Sequence, residues 1–375
     1  MMRLNVCGNG RFLTALGAAV VLFVGQPARA SAAPKPEEVK ATVQKAFDFL
    51  KSKQNADGSW QPKLGGPGVT AIIAAGLIRH GYGDDPVVKK AIAYIESNVQ
   101  KDGGIYARGL ANYSTCVSLI ALKEANTGGK YDKIIADASK FLRGLQNHDD
   151  KDDVQFGGVG YDGKGRGDLS NAHFFVEAML AAGVPKDDPA LRDAIVFLSR
   201  CQNLPGEVQK LAWASKVSNE DKGGFVYNPA EDKGGKDGKK SERVTPDGGL
   251  RSEGGMTYAG LKSFLYAGVG KDDARVKAAI AWVKQHYTLD SNPGLGESGL
   301  YYYYHTFAKA MNALGEDSFE DAKGKKHDWQ QELFDTLKKK QAADGSWTNK
   351  NPGFGEGTPE LATAFAILSL SYARK

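Results

Sequence analysis

Apolar side chains return every three or four residues in six short stretches of the chain. These are AFDFLKSKQ from Ala46, AIAYIESNVQ from Ala91, ASKFLRGLQ from Ala138, AIVFLSRCQ from Ala194, AIAWVKQH from Ala279 and LFDTLKKKQ from Leu333. That period predicts six helices, each with one buried face. Behind each comes a stretch that is apolar on nearly every side: VTAIIAAGLIRHG from Val69, STCVSLIALKEA from Ser114, AHFFVEAMLAAG from Ala172, MTYAGLKSFLYAG from Met256, HTFAKAMNALG from His305 and ATAFAILSLSYA from Ala362. Helices of that kind are buried on more than one side. Five of them carry a threonine at the second position, Thr70, Thr115, Thr257, Thr306 and Thr363, and the third carries His173 there. Glycine-rich turns such as DGSW, DGGIY and QFGGVGY join the members of each pair. Asp-Gly supplies the left-handed backbone that ends a tight turn.

The pattern therefore predicts an all-α chain of six helical hairpins, each with an amphipathic outer helix and an apolar inner one. An open stack of such hairpins exposes apolar surface at both ends. A closed ring removes both ends and makes the first and last hairpins neighbours. These two carry nearly the same phrase, KQNADGSW at 53–60 and KQAADGSW at 340–347. Gln54 and Gln341 are expected to hydrogen-bond loose helix-end groups. Trp60 and Trp347 are expected to cover the seam with aromatic area.

The Q-x-x-D-G-S-W phrase resembles the QW motif of squalene–hopene and related triterpene cyclases. Six repeats of this size resemble the prenyltransferase and squalene oxidase repeats of protein prenyltransferase β subunits. The resemblance runs from about Val39 to Arg374 and implies an α/α toroid of about six inner and six outer helices. It speaks for the fold far more than for the activity, since one fold hosts many functions.

The first thirty residues change the picture of where this toroid works. Arg3 and Arg11 precede or open the apolar run Phe12–Gly25, and the small-residue site Ala28-Arg29-Ala30 follows. That order predicts a cleaved signal peptide over 1–30 and a secreted or periplasmic protein. The run is too short to span a bilayer. A short linker at 31–38 and a single toroid domain at 39–375 are expected to follow. Loss of Arg3, Arg11 and Arg29 lowers the formal charge from +5 to +2, which gives no electrostatic case for nucleic acid. Cys116 and Cys201 are the cysteines left, and they are expected to be buried thiols rather than a disulfide framework. The fourth repeat carries an insert at about 203–249. Its middle has almost no apolar residues and is expected to be flexible; it is either a lid or a surface elaboration, and it could bind a surface partner.

The chemistry that the resemblance implies fits poorly. The cyclases place a D-x-D-D acid at the start of an inner helix. Here DKDD (Asp150, Lys151, Asp152, Asp153) falls in a turn, and Asp168 holds the better position, where it also suits an N-cap. The prenyltransferases hold zinc with Asp, Cys and His. His305 stands in the matching place for the histidine, but Met256 replaces the cysteine and Gly254 or Glu253 the aspartate. A thioether is a poor zinc ligand beside a thiolate, so neither metal nor cofactor is expected. Asp168, His305 and Glu253 remain as catalytic candidates.

The inner-helix N-termini should converge on one mouth of the ring and favour an anion such as a diphosphate. Lys164, Arg166 and Arg251 in the mouth loops would assist, and His173, Tyr258 and Tyr304 would line an aromatic cavity. At most two of Tyr301 to Tyr304 can face it, since they succeed one another on a helix. Three functions follow. An exported isoprenoid-handling protein needs an apolar, partly open cavity. A non-catalytic binding or scaffold toroid has a plugged ring. A polysaccharide-active enzyme would use carboxylates such as Asp168, Glu253 and Glu297, although no paired-carboxylate spacing marks one.

Overall fold

The computed structural model describes residues 33–163, 165–206, 209–230 and 243–373. The expected signal peptide, Lys164 and the middle of the insert lie outside them. In chain order the helices are α1 (Pro36–Lys53), α2 (Pro62–Gly65), α3 (Pro67–Arg79), α4 (Pro86–Ser97), α5 (Ala111–Glu124), α6 (Asp132–Leu145), α7 (Leu169–Ala181), α8 (Pro189–Arg200), α9 (Gly254–Tyr266), α10 (Ala274–Gln285), α11 (Leu300–Leu314), α12 (Trp329–Lys340) and α13 (Pro359–Leu370). One small hairpin pairs β1 (Phe319–Glu320) with β2 (Lys326–His327). Helix α1 begins inside the stretch expected as linker, because Pro36 suits the first helical position, where no N–H is needed.

Six inner helices, α3, α5, α7, α9, α11 and α13, pack each on the next, and α13 returns to α3. The ring is closed. Almost every inner residue is buried, as the absence of a polar face required. The outer helices α1, α4, α6, α8, α10 and α12 bury one stripe each and expose the other. Aspartates start four of them: Asp85, Asp188, Asp273 and Asp328 each accept a backbone N–H of the first turn.

The repeated turns hold neighbouring outer helices together. Gln54 donates to its own turn at Gly58 O (3.0 Å) and to Val87 O (2.8 Å) in the first turn of α4. Gln146 does the same with Gly157 O and Ala190 O, and Gln202 with Gly223 O and Arg275 O. Gln341 closes the ring by reaching Thr42 O of α1 (2.9 Å). These glutamines therefore bond a turn carbonyl and a carbonyl within the next outer helix, rather than the loose helix-end groups expected. The tryptophans bond those loose ends instead. The Trp60 indole donates to Leu50 O and the Trp347 indole to Leu337 O, both at 2.8 Å and both in the last turn of the preceding helix. The inner-helix threonines complete the joint. Thr70, Thr115, Thr257 and Thr363 accept the backbone N–H of Trp60, Ile105, Phe225 and Trp347, each two residues after the turn glycine.

Glycine is required at this joint for two reasons. Gly58, Gly103, Gly157, Gly223 and Gly345 all have φ between +80° and +93°. A Cβ on any of them would also strike a backbone carbonyl of the next outer helix, at 2.2 Å from Lys45 O in the case of Gly345. Gly81 has the same φ of +89° as Gly345 but nothing within 4 Å. Gly81→Ala should cost about 1 kcal/mol from backbone strain alone. Gly345→Ala should cost about 2–4 kcal/mol, because the seam must also open. Urea unfolding of the two variants measures the difference, and equal losses would show that the seam does not depend on the close approach.

Candidate functional site

The inner helices open at one mouth, where residues from the first turns of α3, α5, α7, α11 and α13 line a pocket of about 280 Å³. Its walls include Val69, Leu361, Phe354 and Phe365, with Tyr113, Ser170 and Tyr302 as hydroxyl-bearing members besides the rim tyrosine. Leu64 and Tyr161 stand at the rim and are 44% and 42% exposed, the large apolar side chains left exposed among the described residues. Among the described residues no Lys, Arg, Asp or Glu lines the pocket.

The expected anion site is already filled by the protein's own carboxylates. Asp162 accepts the N–H of Ala111 at the start of α5 (3.1 Å). Asp168 caps α7, accepting the Asn171 N–H and side-chain amide (both 2.8 Å) and the Tyr227 hydroxyl. Glu356 accepts the Tyr302 N–H at the start of α11 (2.7 Å) and an amide hydrogen of Asn349. Three of the six N-termini that would attract a diphosphate are thus neutralised from within, since each carboxylate occupies the donors an anion would use.

Below the pocket the axis is plugged. Glu177 of α7 takes a hydrogen bond from Lys262 of α9 (2.9 Å) and another from Lys309 of α11. Burial opposes the Glu177 charge, but the two ammonium groups outweigh it and hold the carboxyl well below its ordinary range. One carboxylate serves two lysines; burial and the Lys309 charge bring Lys262 down to about 8, and burial with the Arg79 charge lowers Lys309 as well. Lys262 also contacts His173 Nδ1 (3.0 Å), and His173 Nε2 lies 2.7 Å from the Tyr302 hydroxyl. Burial, followed by the nearby lysines, pushes His173 well below its ordinary value and keeps it neutral. Beside the plug, a void of about 20 Å³ lies against His305, Lys309 and Arg79. An open, apolar axial cavity is absent among the described residues, because side chains from three inner helices meet across the axis.

The candidate residues read from the sequence scatter. Asp168 is a buried cap whose carboxyl is pushed up to about 6, chiefly by burial. His305 stands one turn beyond Tyr302 on α11, its ring 5.7 Å from that of Phe365, buried and held neutral by burial. Glu253 is fully buried and ion-paired with Arg243 (2.6 Å). Arg251 lines a separate surface cleft with these two, and Arg166 is exposed. Tyr258 packs edge-on against Tyr303 and Phe307, and the Tyr304 hydroxyl donates to Leu289 O. None of these lines the mouth pocket, since each is committed to capping or packing. Of Tyr301 to Tyr304, Tyr302 alone lines it. DKDD occupies an exposed turn, where Arg200 binds the Lys151 and Asp153 carbonyls. Among the described residues no three His, Cys, Asp or Glu side chains are grouped to hold a metal.

Sequence reasoning missed Glu177, Lys262 and Lys309. Their signal was present: each is a charged residue inside an inner helix that is otherwise apolar on all faces, and a charge so placed needs a buried partner.

Residues 64–218 match the family described as the squalene-hopene cyclase C-terminal domain. No curated protein matches the sequence. Among solved structures, a type II terpene cyclase from Scytonema superposes with a TM-score of 0.53 at 13% identity, over 90% of this chain and 97% of that one. Protein geranylgeranyltransferase-I from Candida albicans, complexed with GGPP, gives 0.51 at 13% identity, over 88% and 90%. A chain described as a novel α-amylase from Clostridium perfringens gives 0.55 at 13% identity, over 89% and 98%. At these identities the likeness carries the fold, and that fold is the α/α toroid which the repeats and the QW-like phrase suggested.

Two outcomes follow from the buried charges. Asp168 has a folded-state pKa of about 6 against an ordinary 3.8, so the folded chain binds its proton more tightly than the unfolded one. Its contribution is fully present below about pH 4 and is lost as pH rises through 6. The loss is about 3 kcal/mol, from roughly two pKa units. Asp168→Asn, which keeps a cap, should therefore gain stability relative to the native protein between pH 4 and pH 7; a pH-independent difference in unfolding midpoint would refute the assignment. Glu177→Leu leaves two ammonium groups buried with no carboxylate and should cost about 3–5 kcal/mol in denaturant unfolding. A loss under about 1 kcal/mol would mean that the plug does not stay dry and charged.

Proposed function

We propose that this protein is an exported, non-catalytic member of the terpene cyclase and prenyltransferase type of toroid, which binds a neutral isoprenoid or other apolar molecule at its mouth. The observation that carries this reading is the mouth pocket. It is aromatic and apolar, two large apolar side chains stand exposed at its rim, and the N-terminal donors around it are occupied by Asp162, Asp168 and Glu356. Its volume of about 280 Å³ is at the lower end for a small-molecule site, where apolar walls with a few placed polar groups are usual.

The plug favours binding over turnover. A cyclase needs a proton donor facing a dry cavity large enough to fold a polyene. Here the acid in the favoured position is turned into a helix cap, and the axis below the pocket is filled. The order of charged, apolar and small residues in the first thirty positions supports export. No helix among the described residues is long and apolar enough to cross a membrane.

Calorimetric titration of the mature chain with farnesol, farnesyl diphosphate and maltohexaose tests this reading. Farnesol should bind one to one, and farnesyl diphosphate more weakly, because carboxylates already hold the helix N-termini. Leu64→Ala with Tyr161→Ala should weaken farnesol about tenfold, from roughly 1.4 kcal/mol of lost rim contact. Tighter binding of the diphosphate would refute the neutral-ligand reading. Binding of maltohexaose alone would favour a polysaccharide partner instead.

A further inference from the structure

The chain of contacts from the plug to the pocket fixes which way each proton points. Lys262, beside the Glu177 carboxylate (2.9 Å), is an ammonium at neutral pH, and an ammonium only donates. His173 Nδ1, 3.0 Å away, must therefore accept and carries no proton. A neutral imidazole then has its hydrogen on Nε2, where the acceptor within reach is the Tyr302 oxygen at 2.7 Å. With its oxygen engaged as acceptor, Tyr302 must send its own hydrogen elsewhere. Ser170 Oγ lies 3.3 Å away, longer than the roughly 2.7–2.8 Å usual for O–H···O. Both residues line the mouth pocket. The Tyr302 ring is held by Phe354 (centroids 5.4 Å apart) and, edge-on, by Phe365 (5.8 Å).

We infer that Tyr302 is a preoriented hydrogen-bond donor in the mouth pocket, set by Lys262 and His173, and that it selects neutral ligands ending in an acceptor oxygen such as a ketone, quinone or ester carbonyl. This rests on the mouth-pocket reading and adds the chemistry of the ligand's end. A donor in an apolar pocket that is already polarised by a buried cation is strengthened by the low dielectric. An acceptor oxygen also completes a bond that Ser170 makes only at long range, whereas a hydrocarbon leaves it as it is. Tyr302 would touch the ligand. His173 and Lys262 act through it and are positioning residues.

The experiment compares geranylacetone, an isoprenoid methyl ketone, with β-farnesene, a hydrocarbon of similar size, by titration, and reads the ketone stretch of bound 13C-labelled geranylacetone by difference infrared spectroscopy. The ketone should bind about tenfold more tightly than the hydrocarbon, with its carbonyl band moved to lower wavenumber than in hexane. Tyr302→Phe should remove both the preference and the band shift. Ser170→Ala, which removes the competing acceptor, should keep or sharpen the preference. The infrared shift in the native protein needs no variant, so an unfolded variant would not hide the answer. If both probes bind equally and the carbonyl band is unshifted, the donor inference fails while the pocket stands. If neither probe binds, the pocket reading itself falls and takes this inference with it.

Discussion

Everything in this ring depends on how closely one turn can approach the next outer helix. At each staple the backbone of a glycine lies against a carbonyl of the neighbouring helix, with φ near +90°. At Gly58, Gly157, Gly223 and Gly345 the approach lets the preceding glutamine span both elements with one amide, and at the first and last of these the following tryptophan bonds the helix end just completed. None of these bonds is strong alone. A neutral hydrogen bond contributes on the order of 1 kcal/mol. Their value lies in repetition: a similar close approach recurs at five of the six junctions between outer helices and fixes the spacing there. The inner helices then meet at the axis with little freedom to retreat.

That fixed spacing explains the plug. Six apolar helices in a ring of constant radius leave a central channel that must be filled, left dry or wetted. Here α7, α9 and α11 fill it with one carboxylate and two lysines, joined to His173 and Tyr302. Buried ion pairs seldom add net stability over apolar packing. What they add in this case is direction, since an ammonium and a neutral imidazole in series allow one arrangement of hydrogens. The mouth and the plug are therefore one system, with the upper end apolar and the lower end charged.

Much of the architecture was legible in the sequence, because inner and outer helices have different periodicities and the staples have a distinctive spelling. Ring closure was readable from the matching phrases at 53–60 and 340–347. The role of Gln54 and Gln341 was misjudged, since a glutamine at a helix end has loose carbonyls nearby in sequence but a neighbouring helix nearer in space. The site was less legible. Glu177 and Lys309 are 132 residues apart, and only closure of the ring brings them together. The carboxylates at the helix N-termini were missed for a similar reason: Glu356 precedes α13 but satisfies the start of α11, a connection that no local pattern reveals. Asp168 was placed correctly at a helix start, yet one position serves a cap and a catalyst equally well in sequence.

The seam between Gln341 and Thr42 joins residues 299 apart, and this bears on how the ring comes into being. Five of the six junctions between inner helices link hairpins that follow one another in the chain. The sixth links the first to the last. Loop-closure entropy grows only logarithmically with length, about 0.6 kcal/mol per doubling, so the final junction is affordable at equilibrium. In time, however, it is the contact of greatest sequence separation, and such contacts form late. Until the sixth hairpin docks, α3 presents its apolar flank to whatever is near. The duplicated phrase is then a kinetic device as well as a structural one: it gives the last hairpin to form the same grip on its neighbour that the first hairpin already has on the second.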